Sequence, residues 1–214
     1  MIALAPVGVS VHFHRMTAQG ATGSLEGQDE RNRMMVDNID ASTELLAMVD
    51  PDVIVVAHTA TSYHLGRQRE IELLARLQSA AGCRVITAFG SVLQALQRLD
   101  VRRIALGTPY SAETTAQGKA HLEAQGIEVV NFANLDDVKN IYDETAERAY
   151  KLARGVDRDD AEAVFLSGTG LPTLPILEPL EQDLGKPMIS SASGCGWRCG
   201  WRAWCSRSRD MGGY

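Results

Sequence analysis

Two short stretches constrain this chain more than anything else in it. Residues 53–66 read VIVVAHTATSYHLG, and residues 164–170 read VFLSGTG. Each starts as an unbroken apolar run, the pattern of a strand covered on both faces. Each then breaks into small and hydroxylated residues: Thr59, Thr61 and Ser62 in the first, Ser167 and Thr169 in the second. Parallel α/β sheets place their ligands at the carboxyl ends of strands. Two such ends, both rich in hydroxyls and small residues, predict a site for a small anion.

The rest of the chain alternates strand and helix around these two stretches. Val7 to His14 alternates apolar and polar residues and predicts a strand, followed by a polar loop over 18–30. A helix is expected over 32–49, a strand over 52–57, a helix over 68–81 ended by Gly82, a strand over 84–88 and a helix over 91–99. Strands are then expected over 102–106, 127–132, 163–166 and 188–190, with helices over 112–125, 141–154 and 174–184. Laid over one another, the halves correspond: GCRVITAFG with GKPMISS, PDVIVVAHTAT with AEAVFLSGTG, and VGVSVHFHRM with GIEVVNFAN. This is the signature of a duplicated unit. The first half has no counterpart of RRIALGTPY. The expectation is therefore an α/β fold of two pseudo-symmetric, Rossmann-like lobes with parallel sheets, residues 1–100 and 101–193, with the site between them and the first strand of the first lobe missing.

Residues 194–214 break the pattern. They hold all three tryptophans and no Leu, Ile or Val, and they show neither helix nor strand periodicity. The repeat predicts a closing helix here, so the tail reads as an out-of-frame segment. It also holds Cys195, Cys199 and Cys205, whose spacings do not match the paired C-x₂-C of zinc modules. The sequence is 45% hydrophobic with a net charge of −6, which argues against a nucleic-acid partner. No apolar run nears the roughly 20 residues that span a bilayer, and no signal peptide is evident at residues 1–10. A cytoplasmic protein without a membrane partner is expected, and no metal. His12 and His14, at i, i+2, lack a third ligand nearby in sequence.

HTATSYHLG, the segment ITAFGSVLQALQRLDVRRIALGTPY and the segment FLSGTGLPTLPILEPLEQDLGKPMISS together resemble the aspartate/glutamate racemase superfamily. The branch they are most similar to is that of arylmalonate decarboxylase and maleate cis–trans isomerase, which includes ectoine-utilisation relatives. The resemblance covers residues 6–193. It implies a cofactor-independent isomerase, racemase or decarboxylase acting next to a carboxylate of a small mono- or dicarboxylic acid, through an enediolate. It also implies residue roles. Thr59 falls on the carboxylate-binding threonine, Ala60 on a neighbouring hydroxyl position, Tyr110 on the family tyrosine, and the Gly168, Thr169 and Gly170 amides on the second side of the carboxylate cradle. Preorganised donors of this kind are what an enediolate needs.

The departures from the family pattern bear on the chemistry. The two family thiol positions fall on His58 and Gly168, so neither carries cysteine. Histidine can move protons near neutral pH, and His58 is the candidate acid or base; the same residue would also suit a strand end held by a backbone partner. Glycine moves no proton, so two-base racemisation is not expected. The competing reading is an inactive relative, a carboxylate-binding protein or truncated remnant. A missing edge strand would also leave an apolar edge favouring a homo-oligomer.

Overall fold

The computed structural model describes residues 5, 7–16, 18–19 and 25–198. Two parallel sheets organise it. In the first lobe, β1 (Val53–Val56) pairs with β2 (Arg84–Thr87). In the second, β3 (Arg103–Thr108), β4 (Glu128–Asn134), β5 (Ala163–Leu166) and β6 (Met188–Ser190) lie in the order β4-β3-β5-β6. Among the described residues, eight α-helices flank them: α1 (Gln28–Asp37), α2 (Ile39–Ala47), α3 (Thr59–Ala81), α4 (Ala88–Arg98), α5 (Ala112–Glu123), α6 (Ala146–Val156), α7 (Leu177–Leu184) and α8 (Ser191–Arg198). None is long and apolar enough to cross a membrane.

The duplication is visible in the topology. β1, α3, β2 and α4 match β5, α7, β6 and α8, and both strand pairs run parallel. The two closing helices, α4 and α8, pack on each other. They come so close that a β-carbon on Gly194 would stand 3.3 Å from the Val92 amide nitrogen. Among the described residues the first sheet has no equivalent of β3, as the repeat predicts.

Strand alternation divides the interior. On β3, Ile104 and Leu106 face one cluster and Ala105 the other; on β5, Ala163 and Phe165 oppose Val164 and Leu166. Burial on both faces is what the continuous apolar runs require. The first cluster is shared by the two lobes: Ala60 and Tyr63 of α3 and Phe89, Val92 and Leu96 of α4 pack against Ile104, Leu106, Phe165 and Ile189. Local chemistry sets the helix starts. Thr87, Ser111 and Thr145 accept from the Gly90, Thr114 and Arg148 amides at the starts of α4, α5 and α6, caps worth about 1 kcal/mol each. Gly82 and Gly185 close α3 and α7 in the left-handed conformation.

Several expectations are corrected. Val7 to His14 is irregular, not a strand, and Val7, Val9 and Phe13 are exposed. Alternation alone does not make a strand, which also needs a neighbour to pair with. The loop over 18–30 ends early, because α1 starts at Gln28. The helix expected over 32–49 is two helices divided at Asn38. The helix expected from 68 begins at Thr59 and runs through Gly66, whose φ of 71° and ψ of 169° put a kink inside it. The segments 141–143 and 174–176 are 3-10 turns preceding α6 and α7. α8 carries the chain through Arg198, so the first part of the tail is helical despite its composition. The rest of that tail, with Cys199 and Cys205, lies outside the described residues.

Candidate functional site

One cleft collects the ends of three parallel strands. β1 ends into His58, β3 into Tyr110, and β5 into the turn Gly168–Gly170, and all of these line the cleft. Ile141 and Tyr142, from the 3-10 turn after β4, form another wall. Gln28, Arg31, Asn32 and Met35 of α1 close the far side. The cleft is partly open to solvent.

The walls are pinned across the lobes. Thr169 Oγ1 donates to the Ala57 carbonyl at 2.7 Å, tying the β5 turn to the residue before His58. Tyr63 Oη and Ser167 Oγ are bonded at 2.8 Å behind the cleft. Ser191 Oγ accepts from Thr59 Oγ1 at 2.8 Å and from the Gly168 amide at 3.1 Å. Thr114 Oγ1 of α5 donates to Gln28 Oε1 at 3.2 Å, fastening α1 to the second lobe. A β-carbon on Gly118 of α5 would lie 2.7 Å from the Tyr63 ring, so these helices approach where only glycine fits.

His58 stands at the N-cap of α3 with an extended backbone. Its Nδ1 is 2.9 Å from Thr61 Oγ1, leaving Nε2 as the other ring nitrogen. Burial lowers its pKa to about 4, so the imidazole is neutral at neutral pH. The start of a helix also favours an anion nearby. Tyr110 is 4% exposed. Burial pushes its phenol up to about 12, opposed by the hydroxyls of Ser167 and Thr59, so it remains a proton-bearing donor. Position 168 points at it: a β-carbon on Gly168 would lie 3.4 Å from Tyr110 Oη. The same β-carbon would press on Pro109 at 2.9 Å, and φ is +100°.

The residues named from sequence thus separate into two groups. His58, Tyr110, Gly168, Thr169 and Gly170 meet at the cleft. Thr59 and Ala60, 0% and 1% exposed, lie behind its wall and are not part of the lining. Thr61, Ser62 and Ser167 are also buried and hydrogen-bonded within the protein. Among the described residues, Cys83 and Cys195 lie off the cleft lining, and no three His, Cys, Asp or Glu side chains gather as a metal site would require. Sequence reading missed the α1 face, although Gln28, Arg31, Asn32 and Met35 follow the i, i+3, i+4, i+7 spacing of one helical face. It missed Tyr142 as well, which stacks over Gly170 so closely that a β-carbon there would meet its ring at 3.0 Å.

A profile of the arylmalonate decarboxylase family matches residues 11–211. The chain belongs to this family. Its relatives include the maleate isomerase of Nocardia farcinica, 26% identical over 196 residues, covering 87% of this chain and 76% of that protein. The arylmalonate decarboxylase of Bordetella bronchiseptica is 28% identical over 155 residues, covering 68% of this chain and 62% of that protein. Among solved structures, a Cys-to-Ser mutant of the Nocardia farcinica maleate cis–trans isomerase, with a covalently bound succinylcysteine intermediate, has the same fold. The TM-score is 0.80 at 22% identity, over 92% of this chain and 82% of that one. A cysteine-exchanged mutant of arylmalonate decarboxylase in liganded form gives a TM-score of 0.76 at 22% identity, over 82% and 77%. The two-lobed parallel α/β architecture is that of the arylmalonate decarboxylase family.

Proposed function

We propose that the cleft binds a small carboxylic acid and moves a proton at the carbon next to the carboxylate, by isomerase- or decarboxylase-type chemistry that uses neither family thiol. The observation that carries this reading is the meeting of His58, Tyr110 and the Gly168–Gly170 turn at the strand ends. Tyr110 donates to one carboxylate oxygen. The Thr169 and Gly170 amides serve the other, since the Gly168 amide is already given to Ser191. Thr59 holds Ser191, and so acts on the turn from behind.

With Nδ1 protonated and donating to Thr61, His58 presents the Nε2 lone pair. Nε2 takes the proton from carbon as the C–H bond breaks, and the electron pair passes into the carboxylate to form the enediolate. In isomerisation the imidazolium then returns its proton to carbon. Loss of carbon dioxide would leave the same electron pair on carbon without any proton having been taken, so in that reaction His58 would enter as the imidazolium, protonated from solvent beside the bound carboxylates, and its Nε2–H would go to carbon. A nearby anion favours the charged form of histidine, so a bound carboxylate offsets the effect of burial on His58.

A second reading is a carboxylate-binding relative without catalysis. It is favoured by the glycine at position 168 and by the absence of a cysteine from the cleft lining among the described residues. Proton exchange in deuterated water, followed by NMR on succinate, maleate and phenylmalonate, decides between them. Deuterium entering beside the carboxylate, or turnover, supports the enzyme. Tyr110→Phe should then lower the rate about 100-fold, the scale of one lost oxyanion donor. Binding without exchange or turnover supports the second reading.

A further inference from the structure

We propose that Ser191, at the junction of β6 and α8, is the positioning residue of the carboxylate site: its Oγ fixes the β5 turn so that the Thr169 and Gly170 amides face the ligand. The inference deepens the carboxylate reading of the cleft given above and rests on it.

The amides of the turn can be accounted for one by one. The Ser167 amide donates to the Gly107 carbonyl at 2.8 Å, continuing the pairing of β5 with β3. The Gly168 amide donates to Ser191 Oγ at 3.1 Å. The Leu171 amide donates to the Gly168 carbonyl at 3.2 Å and closes the turn. Thr169 and Gly170 lie between, and among the described residues their amides have no partner. Both residues line the cleft. Backbone donors away from water are rarely left unpaired, and successive N–H groups of a turn form a concavity that takes an anion. Gly168 reaches this arrangement at φ +100°. Glycine permits that conformation without enforcing it, so the bond to Ser191 is what selects it.

Ser191 is 0% exposed. Its Oγ also accepts from Thr59 Oγ1 at 2.8 Å, and the Thr59 hydroxyl in turn bonds the Tyr110 phenol. One oxygen is therefore linked to both halves of the site, the turn amides and the phenol. The repeat shows that the fold does not require it. Ser191 corresponds to Ala88, where β2 passes into α4, and Thr59 corresponds to Thr169. Ala88 offers no hydroxyl, yet the same strand-to-helix junction forms. Thr169 donates instead to the Ala57 carbonyl. The serine stands only where a turn must hold its amides toward the cleft. Without it the Gly168 peptide is free to rotate, and the ligand must order the turn on binding.

Ser191→Ala in the full chain tests this, with Ser191→Thr as the variant that keeps the oxygen. Maleate, succinate and phenylmalonate are titrated calorimetrically, and the one that binds the parent most tightly serves as probe. Ser191→Ala should weaken it 10-fold or more, and Ser191→Thr should stay within about threefold of the parent. The Gly168 amide should exchange with deuterated water at least 10-fold faster in Ser191→Ala, followed by NMR. Circular dichroism establishes folding. If Ser191→Ala does not fold, Ser191→Cys, whose thiol is a weak acceptor, takes its place; if Ser191→Thr does not fold, affinity and amide exchange in the first variant decide. Binding within twofold of the parent, or an unchanged Gly168 amide, overturns the proposal and leaves the carboxylate reading standing. A lower melting temperature with unchanged affinity does the same, since it marks a merely structural serine. If none of the three acids binds the parent, the carboxylate reading falls and this proposal with it. If binding depends on Ser191 but no proton exchange on the substrate occurs, the positioning role stands and the enzymatic reading fails.

Discussion

At His58 a strand end, a helix start and a ligand cleft coincide. Burial holds its pKa near 4, below the ordinary value of 6.5. The sign of the effect on stability follows from proton counting. Between about pH 6.5 and pH 4 the unfolded chain carries a proton on this residue that the folded chain does not. Stability therefore falls as pH drops through that window, by on the order of 2 kcal/mol from this group. Urea unfolding between pH 4 and pH 7 should show that loss, and His58→Gln should flatten it. If the slope is unchanged, His58 is not held neutral by the fold. For the same reason, a base role predicts that kcat/KM of the free enzyme rises with pH through about 4 and then levels off. This residue was legible in sequence because it follows a buried apolar run. Its neutrality was not, because that depends on what surrounds the ring.

At the scale of elements, α3 does the most to join the molecule. It starts at His58, sends Tyr63 toward Ser167, and holds Glu70 at the centre of a buried network. Glu70 accepts from Ser62 at 2.6 Å and Thr87 at 2.7 Å, and faces His121 of α5 at 3.4 Å. Burial raises the Glu70 pKa, but His121 and the two hydroxyls outweigh it and hold the carboxyl below its usual value. Glu70→Leu would leave those partners unmade and should cost about 3 kcal/mol, read as a lower urea midpoint. Glu70→Gln should cost less. Gly66 is a different kind of test. A β-carbon there meets nothing, yet φ is 71° and ψ 169°, a region reserved for glycine. Gly66→Ala should therefore destabilise by about 1–3 kcal/mol through backbone strain alone; a neutral substitution would mean that the kink relaxes. Helical periodicity placed most helices. It could not place this kink, since 3.6-residue spacing continues across it.

Over the whole molecule, one of the buried clusters is common to both lobes. The cluster running from Ala60 and Tyr63 through Phe89 to Phe165 and Ile189 has no boundary between the halves. Thermal unfolding should therefore be a single transition, with calorimetric and van't Hoff enthalpies in agreement. Two resolved transitions would show that the lobes are independent. The duplication was readable from sequence in β1 and β2, which match β5 and β6 in order and in their terminal turns; the correspondence of Val7 to His14 with β4 fails, because Val7 to His14 is not a strand. The joint interior was not readable, because amphipathic patterns tell which face is buried but not against which partner.

The sequence by itself determined the alternation of strand and helix, the repeat, and the cleft residues that directly follow strands, namely His58, Tyr110 and the Gly168–Gly170 turn. Those features are local, encoded in apolar runs and the small residues that end them. Tertiary structure alone decided that Thr59 and Ala60 stand behind the wall, that Val7 to His14 finds no strand to pair with, and that a polar helix face carrying Arg31 and Asn32 turns inward to complete the cleft. A polar stripe reads the same in sequence whether water or a ligand site covers it; only the packing of α1 across two lobes distinguishes them.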